Sequence, residues 1–447
     1  MSGMHEYERE LSNAKEKLNH ITVPEDALDR AILAGIEKGK SSRARRIHAR
    51  YWIQSSAAAI LFLMLLAGAI HQSDLVAGYV RKLPGMEKIV ELVHQDKGLV
   101  DLVNHNFVQK IGKSDSHGGV TFTVENIIAD DQQMFLYYKL SAADGRKFKD
   151  VKLKQLSLQD IHGEKIKEYT LGFTPDIGDV DKAKTQLFEA DYGLTHPLND
   201  QSYQLEVRLG GDPSLENEVW RIPITLDHTK MGPSQTIRVN KTASVEGQKV
   251  FIKNVAFSPT RVAVSVDYPE GNSKQILNME DLELVDEKGE AWSRVSNGTT
   301  RSGEGNHVTY YLESNYFKKP KRLYLVFHKL QALDKDELEV VVDPAHEKLV
   351  KAPKDGKLEK VKYVPEGHNL EFTLKGDFRL GSVFTQYMAP KGEFKYLHED
   401  EYRHSGDDKG TIVYGFADPL KDPNELLTLK LNAYPAYIHG DVKIRLK

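Results

Sequence analysis

Apolar residues run through this chain in short alternating sets, with one exception. From Ile53 to Ile70 there is no charged residue, and the inner stretch "AAAILFLMLLAGAI" has no polar one. Those eighteen residues make about 27 Å of helix at ~1.5 Å per residue, close to a hydrocarbon core of roughly 30 Å. Tyr51 and Trp52 fall where an interfacial aromatic belt belongs. The pattern therefore predicts a membrane-spanning helix over 53–70, since a buried core helix would keep a polar face. Lys38, Lys40, Arg43, Arg45, Arg46 and Arg50 precede it with no acid after Glu37. The other flank, "HQSDLVAGY", has Asp74 and no basic residue before Arg81. The positive-inside rule places residues 1–50 in the cytoplasm and 71–447 outside, and the basic cluster also suits contact with anionic membrane lipid. A cleaved leader is the rival reading, because Ala67-Gly68-Ala69 resembles a cleavage site. Leaders, however, begin with a short charged prefix, and here fifty residues come first.

Beyond the apolar stretch the period falls to two. Tyr203, Leu205, Val207 and Leu209 alternate with Gln204, Glu206 and Arg208, then Trp220, Ile222, Ile224 and Leu226 follow, with Pro223 pointing to an edge strand. The same closing pattern recurs as Leu323, Leu325, Phe327 and then Leu338, Val340, Val342. "LSLQDIHGE" (156–164) and "LELVDEKGE" (282–290) share L-x-L-x-D-x-x-G-E at an offset of 126 residues. "VTFTVENI" from Val120 and "VFIKNVAF" from Val250 begin matching strands, and "TQLFE" (185–189) matches "TYYLE" (309–313). A third, looser copy opens with Leu370, Phe372 and Leu374 and closes with Leu427, Leu429, Leu431, then Val442, Ile444, Leu446. The expected fold is mainly β: tandem immunoglobulin-like β-sandwich domains at 118–230, 236–345 and 358–447. A closed barrel per unit is the alternative.

Helical spacing appears in two places. In the neck, 71–117, Pro84 suits a first turn and Met86, Ile89, Val90 and Val93 form one stripe. Gly98 is expected to interrupt it before Leu99 to Val103. In the tail, 1–50, Tyr7, Leu11, Ala14 and Leu18 line one face. Pro24, Glu25 and Asp26 then open a second helix bearing Leu28, Ile32 and Ile36. Two short helices bury little by themselves, so they pair, lie on the membrane, or enter a partner's groove.

Composition narrows the chemistry. A net charge of −4 offers no basic surface for nucleic acid. The chain has no cysteine, which excludes disulfides, thiolate metal sites and cysteine nucleophiles and fits a Gram-positive surface. His346-Glu347 begins an H-E-x-x-H motif that Val350 fails to complete. Asp176, Asp179 and Asp181 miss the calcium-loop spacing, and "HEDEYRHSGDD" (398–408) reads as a solvated hairpin loop. No nucleophile elbow, phosphate loop or dinucleotide fingerprint is present. Neither an enzyme nor a cofactor is expected.

"VPEDALDRAILAGIEKG", the apolar stretch, "LPGMEKIVELVHQDKGLVDLVNHNFVQKIG" and "GVTFTVENIIADDQQMFLYYKL" together resemble a family of bacillar single-pass membrane proteins named only as a domain of unknown function. Residues 236–345 resemble its immunoglobulin-like companion domain. The resemblance implies an anti-sigma-like regulator whose cytoplasmic tail holds an extracytoplasmic-function sigma factor while the outer region senses an unidentified ligand. The histidine–cysteine zinc motif of many anti-sigma domains is impossible here, so Leu11, Leu18, Leu28, Ile32 and Ile36 would have to carry the partner contact. The competing expectation is a surface structural or adhesive protein that binds wall polymer or another protein. Protease added to intact cells should digest residues 71–447 and spare the tail; an untouched large fragment would contradict the predicted topology.

Overall fold

The structure is a computed structural model that describes residues 87–447, except 144, 182–185, 296–299, 377–381, 389–391, 393, 405–408, 417–419 and 421. The tail and the stretch 53–70 lie outside the described residues. Among the described residues no helix is long and apolar enough to cross a membrane.

Two short helices come first, α1 (Glu87–Val93) and α2 (Lys97–Asn104). The first β unit then runs β1 (Gln109–His117), β2 (Val120–Ala129), β3 (Gln133–Ala142), β4 (Phe148–Gln159), β5 (Glu168–Phe173), β6 (Asp176–Val180), β7 (Phe188–Leu194), β8 (Ser202–Gly210) and β9 (Trp220–Thr225). They form two sheets, ordered β1-β2-β3-β7-β5 and β6-β4-β8-β9. Phe122, Tyr138, Leu205 and Trp220 are among the side chains that fill the space between them. Pro223 does lie on an edge strand, β9, where its missing N–H costs no ladder bond. The neck is shorter than expected: 109–117 is strand, and the unit begins there rather than at 118.

The second unit repeats the plan with β10 (Gln235–Val245), β11 (Gln248–Phe257), β12 (Arg261–Asp267), β13 (Lys274–Met279), β14 (Glu283–Asp286), β15 (Ala291–Trp292), β16 (Arg301–Glu304), β17 (His307–Glu313) and β18 (Leu323–Asp334). Its first sheet, β10-β11-β12-β17-β16, has the connectivity of β1-β2-β3-β7-β5. Even the bulge in the opening strand recurs, with Gly112 and Asn240 both at positive φ. The shared motif is a turn. Asp160 Oδ1 accepts from the N–H groups of His162 and Glu164, and Asp286 Oδ1 accepts from those of Lys288 and Glu290, all at 2.7–2.9 Å. Gly163 and Gly289 supply the left-handed residue at φ 83° and 84°.

The third unit holds β19 (Glu339–Asp343), β20 (Lys348–Lys351), β21 (Leu358–Val364), β22 (Asn369–Lys375), β23 (Phe384–Met388), β24 (Phe394–His404), β25 (Lys409–Phe416) and β26 (Leu427–Leu431). They pair along one path, β20-β19-β26-β23-β24-β25-β22-β21, whose two halves share the long strand β24. The long strand β24 pairs with β23 through Phe394 to Tyr396 and with β25 from Leu397 onward. The sheet thereby folds over a single core containing Val340, Phe372, Phe384 and Tyr414.

The final strand, β27 (Tyr437–Arg445), corrects both domain boundaries. It pairs with β18 along Tyr324 to Gln331, and Ile438, Val442 and Ile444 enter the second unit's core. In the first unit β9 fills the matching place beside β8. Leu338 to Val342, expected to close the second unit, instead joins the third, where Val340 and Val342 are buried. Residues 335–436 are thus inserted between β18 and its last neighbour. Alternation alone cannot distinguish these strands, because each has one apolar face and fits either sheet. Replacing 336–435 by a short Asn-Gly turn should leave the second unit folded. Ending the chain at Ala436 should unfold it, by about 1.5–3 kcal/mol for each of three lost core side chains. Thermal unfolding and hydrogen exchange across β11 and β12 check both.

Candidate functional site

All the residues expected to bind a partner, Leu11, Leu18, Leu28, Ile32 and Ile36, and the topology cluster Lys38, Lys40, Arg43, Arg45, Arg46 and Arg50, lie outside the described residues. Other candidates disperse. His346 Nδ1 sits 2.9 Å from Asp343 Oδ2 on an exposed turn. Asp176 lies on strand β6 beside Lys152, and Asp179 accepts the amide of Asp150. Nothing in the sequence marked Asp334, Asp336 and Glu337, whose carboxylates converge. Lys274 Nζ lies 2.7 Å from Asp334, and Lys354 Nζ lies 3.1 Å from Asp336 and 3.0 Å from Glu337, so ammonium groups already occupy that cluster.

What the structure does assemble is a seat for the neck. Asp96 ends the turn after α1 and N-caps α2, its carboxylate accepting from Leu99 N–H at 3.0 Å. At the far end Asn106 takes φ 62°, and Phe107 N–H reaches back to Leu102 O, so the chain turns sharply into β1. Gly98 therefore lies inside a helix, not between two. Its role is spatial, since a Cβ there would stand 2.6 Å from the Ser314 nitrogen.

Ile89, Val93, Leu99, Leu102 and Val103 pack on Ile128, Phe135 and Tyr137. These last three point away from the sandwich core, while Ile127, Met134, Leu136 and Tyr138 point into it. Strand β3 is consequently buried on both faces, and its unbroken run "MFLYY" is the signal of that in the sequence. Shared burial of this kind contributes about 1.5–3 kcal/mol per large apolar side chain.

The second unit closes the seat. Lys97 N–H donates to Glu313 Oε1 at 3.1 Å and Lys97 Nζ to Ala291 O at 2.9 Å. The His105 ring stacks on Phe317 at 3.9 Å, and Lys318 Nζ lies 3.6 Å from Asp101. Beside the helices the two units also meet directly. Asp130, wholly buried, holds its own turn through Oδ1 to the amides of Gln132 and Gln133. Its Oδ2 accepts from Thr260 N–H and Oγ1–H at 2.7 and 2.6 Å. Arg261 donates to Gln132 O at 2.7 Å and lies over the Tyr311 ring.

Carboxylates concentrate in this seat. Burial drives Asp96 up to about 7, with Glu313 adding to the rise and the Leu99 and Gly98 amides opposing it. Glu189 is likewise raised to about 7 by burial, then by Asp191 and Asp96, against a lowering contact with Tyr137. Burial also raises Glu313 and pushes the Tyr137 phenol well up, the latter with help from Glu189, Asp96 and Asp191.

Fold and site together define a class: a multi-unit β protein whose N-terminal helical neck is clamped between its first two units. Residues 47–142 match a family model described as "Domain of unknown function (DUF4179)", and residues 234–374 match a "Family of unknown function (DUF5643)". The first match takes in the neck and β1–β3; the second opens at β10 and runs into the inserted unit as far as β22. Among solved structures, the chain is similar to "the conserved domain protein from Bacillus anthracis", at 16% identity over 55% of this chain and 84% of that one, with a TM-score of 0.36. No curated protein matches the chain.

Substituting Gly98→Val should unseat the neck at a cost of about 1–3 kcal/mol. Limited proteolysis should then cut within 87–107 first, while the melting of the β units stays close to wild type.

Proposed function

We propose that this protein is a membrane-anchored, signal-transducing regulator. Its N-terminal tail holds a sigma factor of the extracytoplasmic-function class, one helix over 53–70 crosses the bilayer, and the β units face outward. The observation that carries this reading is the seat of the neck. Residues 87–107, which lie beyond the apolar stretch in sequence, are not a free tether. They are gripped by two β units at once, through Lys97, Gly98 and His105 on one side and Leu99, Leu102 and Val103 on the other. Anything bound outside that alters how the two units meet would alter the grip on the neck. A simple spacer would need no such double contact. The match of residues 47–142 to a domain of unknown function supports the reading, because it joins the flanked apolar stretch to this neck and to the sheet that carries it.

In this reading Leu28, Ile32 and Ile36 form one apolar stripe of the tail, with Leu11 and Leu18 on the other helix, and they enter a groove of the sigma factor. Lys38, Lys40, Arg43, Arg45, Arg46 and Arg50 hold the inner membrane face. Calorimetry of residues 1–50 with extracytoplasmic-function sigma factors of the same cell should give one-to-one binding with one of them. Leu28→Asp and Ile32→Asp should each weaken it tenfold or more, since each would bury an unpaired charge. Absence of binding would leave the surface structural or adhesive reading, in which the interlocked second and third units act as a rigid stalk.

A further inference from the structure

The seat of the neck buries several acids where apolar packing would suffice. Asp96, Asp191 and Glu313 are each 5% exposed or less. They arrive from different elements: Asp96 from the cap of α2, Glu189 and Asp191 from β7, and Glu313 from the end of β17, with the Tyr137 hydroxyl of β3 among them. Asp96 feels Glu313, and Glu189 feels both Asp191 and Asp96, in each case as repulsion. Positive charge enters at one side. Lys97 acts on Glu313 and Glu283 while its ammonium group is tied to Ala291 O. Asp191 is held by the Gln133 amide at 2.5 Å, a neutral partner.

We infer that seating of the neck is coupled to proton uptake by this carboxyl cluster, so that the neck is held firmly in acid and released as the surroundings turn alkaline. The physical cause is a difference in environment. Withdrawn from the seat, Asp96 would return to water and its ordinary acidity. Seated, it and Glu189 keep a proton up to about neutrality. The sign follows from linkage. Below about pH 4 both forms are protonated and the coupling is silent. Between about 4 and 7 the seated form binds more protons, so its advantage falls steadily, and above 7 the full loss is in place. For one carboxyl moving from about 4 to about 7, the seating constant drops about thirtyfold between pH 5.5 and 8.5. The inference concerns the neck and holds whatever the tail binds.

Hydrogen exchange on the full chain in lipid nanodiscs, corrected for the intrinsic rate, tests it. Protection of residues 97–104 should fall at least tenfold between about pH 5.5 and 8.5, while β11 and β12 hold constant. Asp96→Asn keeps the capping oxygen and Glu189→Gln keeps the shape; each should shrink that fall, and the two together should cut it to threefold or less. Equal protection of 97–104 at both pH values overturns the proposal, as does a full tenfold fall that survives in the double variant. If the variants do not fold, infrared detection of buried protonated carboxyl groups in the wild type decides. A band present at pH 5.5 and lost by 8.5 upholds the coupling, and its absence at both overturns it.

Discussion

Strand β3 has no free face. Tyr138 and Leu136 look into the first unit's core, and Phe135 and Tyr137 look out to a surface that would be exposed apolar sheet if nothing covered it. An antiparallel sheet normally leaves one side to water, so an apolar outer face creates a demand for a lid. Helices α1 and α2 answer it, and the cover then dictates much else. A helix lying there must end before β1, which Asn106 achieves by turning the chain. It must also clear the second unit, which Gly98 achieves by lacking a side chain. The neck becomes part of the folded body.

The two sandwiches are built by one recipe. Asp160 and Asp286 close the same turn by the same pair of side-chain acceptances, and the first sheet of each unit runs in the same order. They diverge in the second sheet, β6-β4-β8-β9 in the first unit and β13-β18-β14-β15 in the second, and most of all at the last strand. The first unit takes β9 from the adjacent sequence, whereas the second waits for β27, with the whole third unit inserted before it. An exposed edge at β18 would be a site for pairing with another chain. Its satisfaction by the far end of the sequence ties the stability of the second unit to residues more than a hundred positions away. That arrangement joins the second and third units through two crossings of the chain, one leaving β18 and one returning to β27.

Electrostatics sets a different tone at the seat than elsewhere. On the surface, carboxylates such as Glu359 sit among lysines and are lowered by them, an inexpensive arrangement. In the seat, Asp96 is raised by burial and by Glu313, and Glu189 by burial and then by Asp191 and Asp96, so both carry a cost that the surface acids escape. Asp130 shows that a buried acid here can be fully satisfied, because it accepts from four donors drawn from both units. The contrast between Asp130, a fixed joint, and Asp96, a joint under tension, places the adjustable point at the neck itself.

Much of this was legible in the order of residues. A period of two announced strands, because a half-buried strand must alternate, and the L-x-L-x-D-x-x-G-E repeat announced two units, because its Asp and Gly are needed locally by one type of turn. The chain likewise determined the neck's helical stripe and the absence of any cysteine chemistry. It did not determine that Gly98 would lie within a helix, since the reason is Ser314, more than two hundred residues distant. Nor did it determine that Val442 and Ile444 complete the second unit while Val340 and Val342 join the third. Alternation says that a strand has an apolar face; only the assembled sheets decide which core receives it. The meeting of Asp96, Glu189, Asp191 and Glu313 is of the same kind. Each looks ordinary among neighbours in sequence, and burial by elements brought from three regions of the chain makes them a cluster.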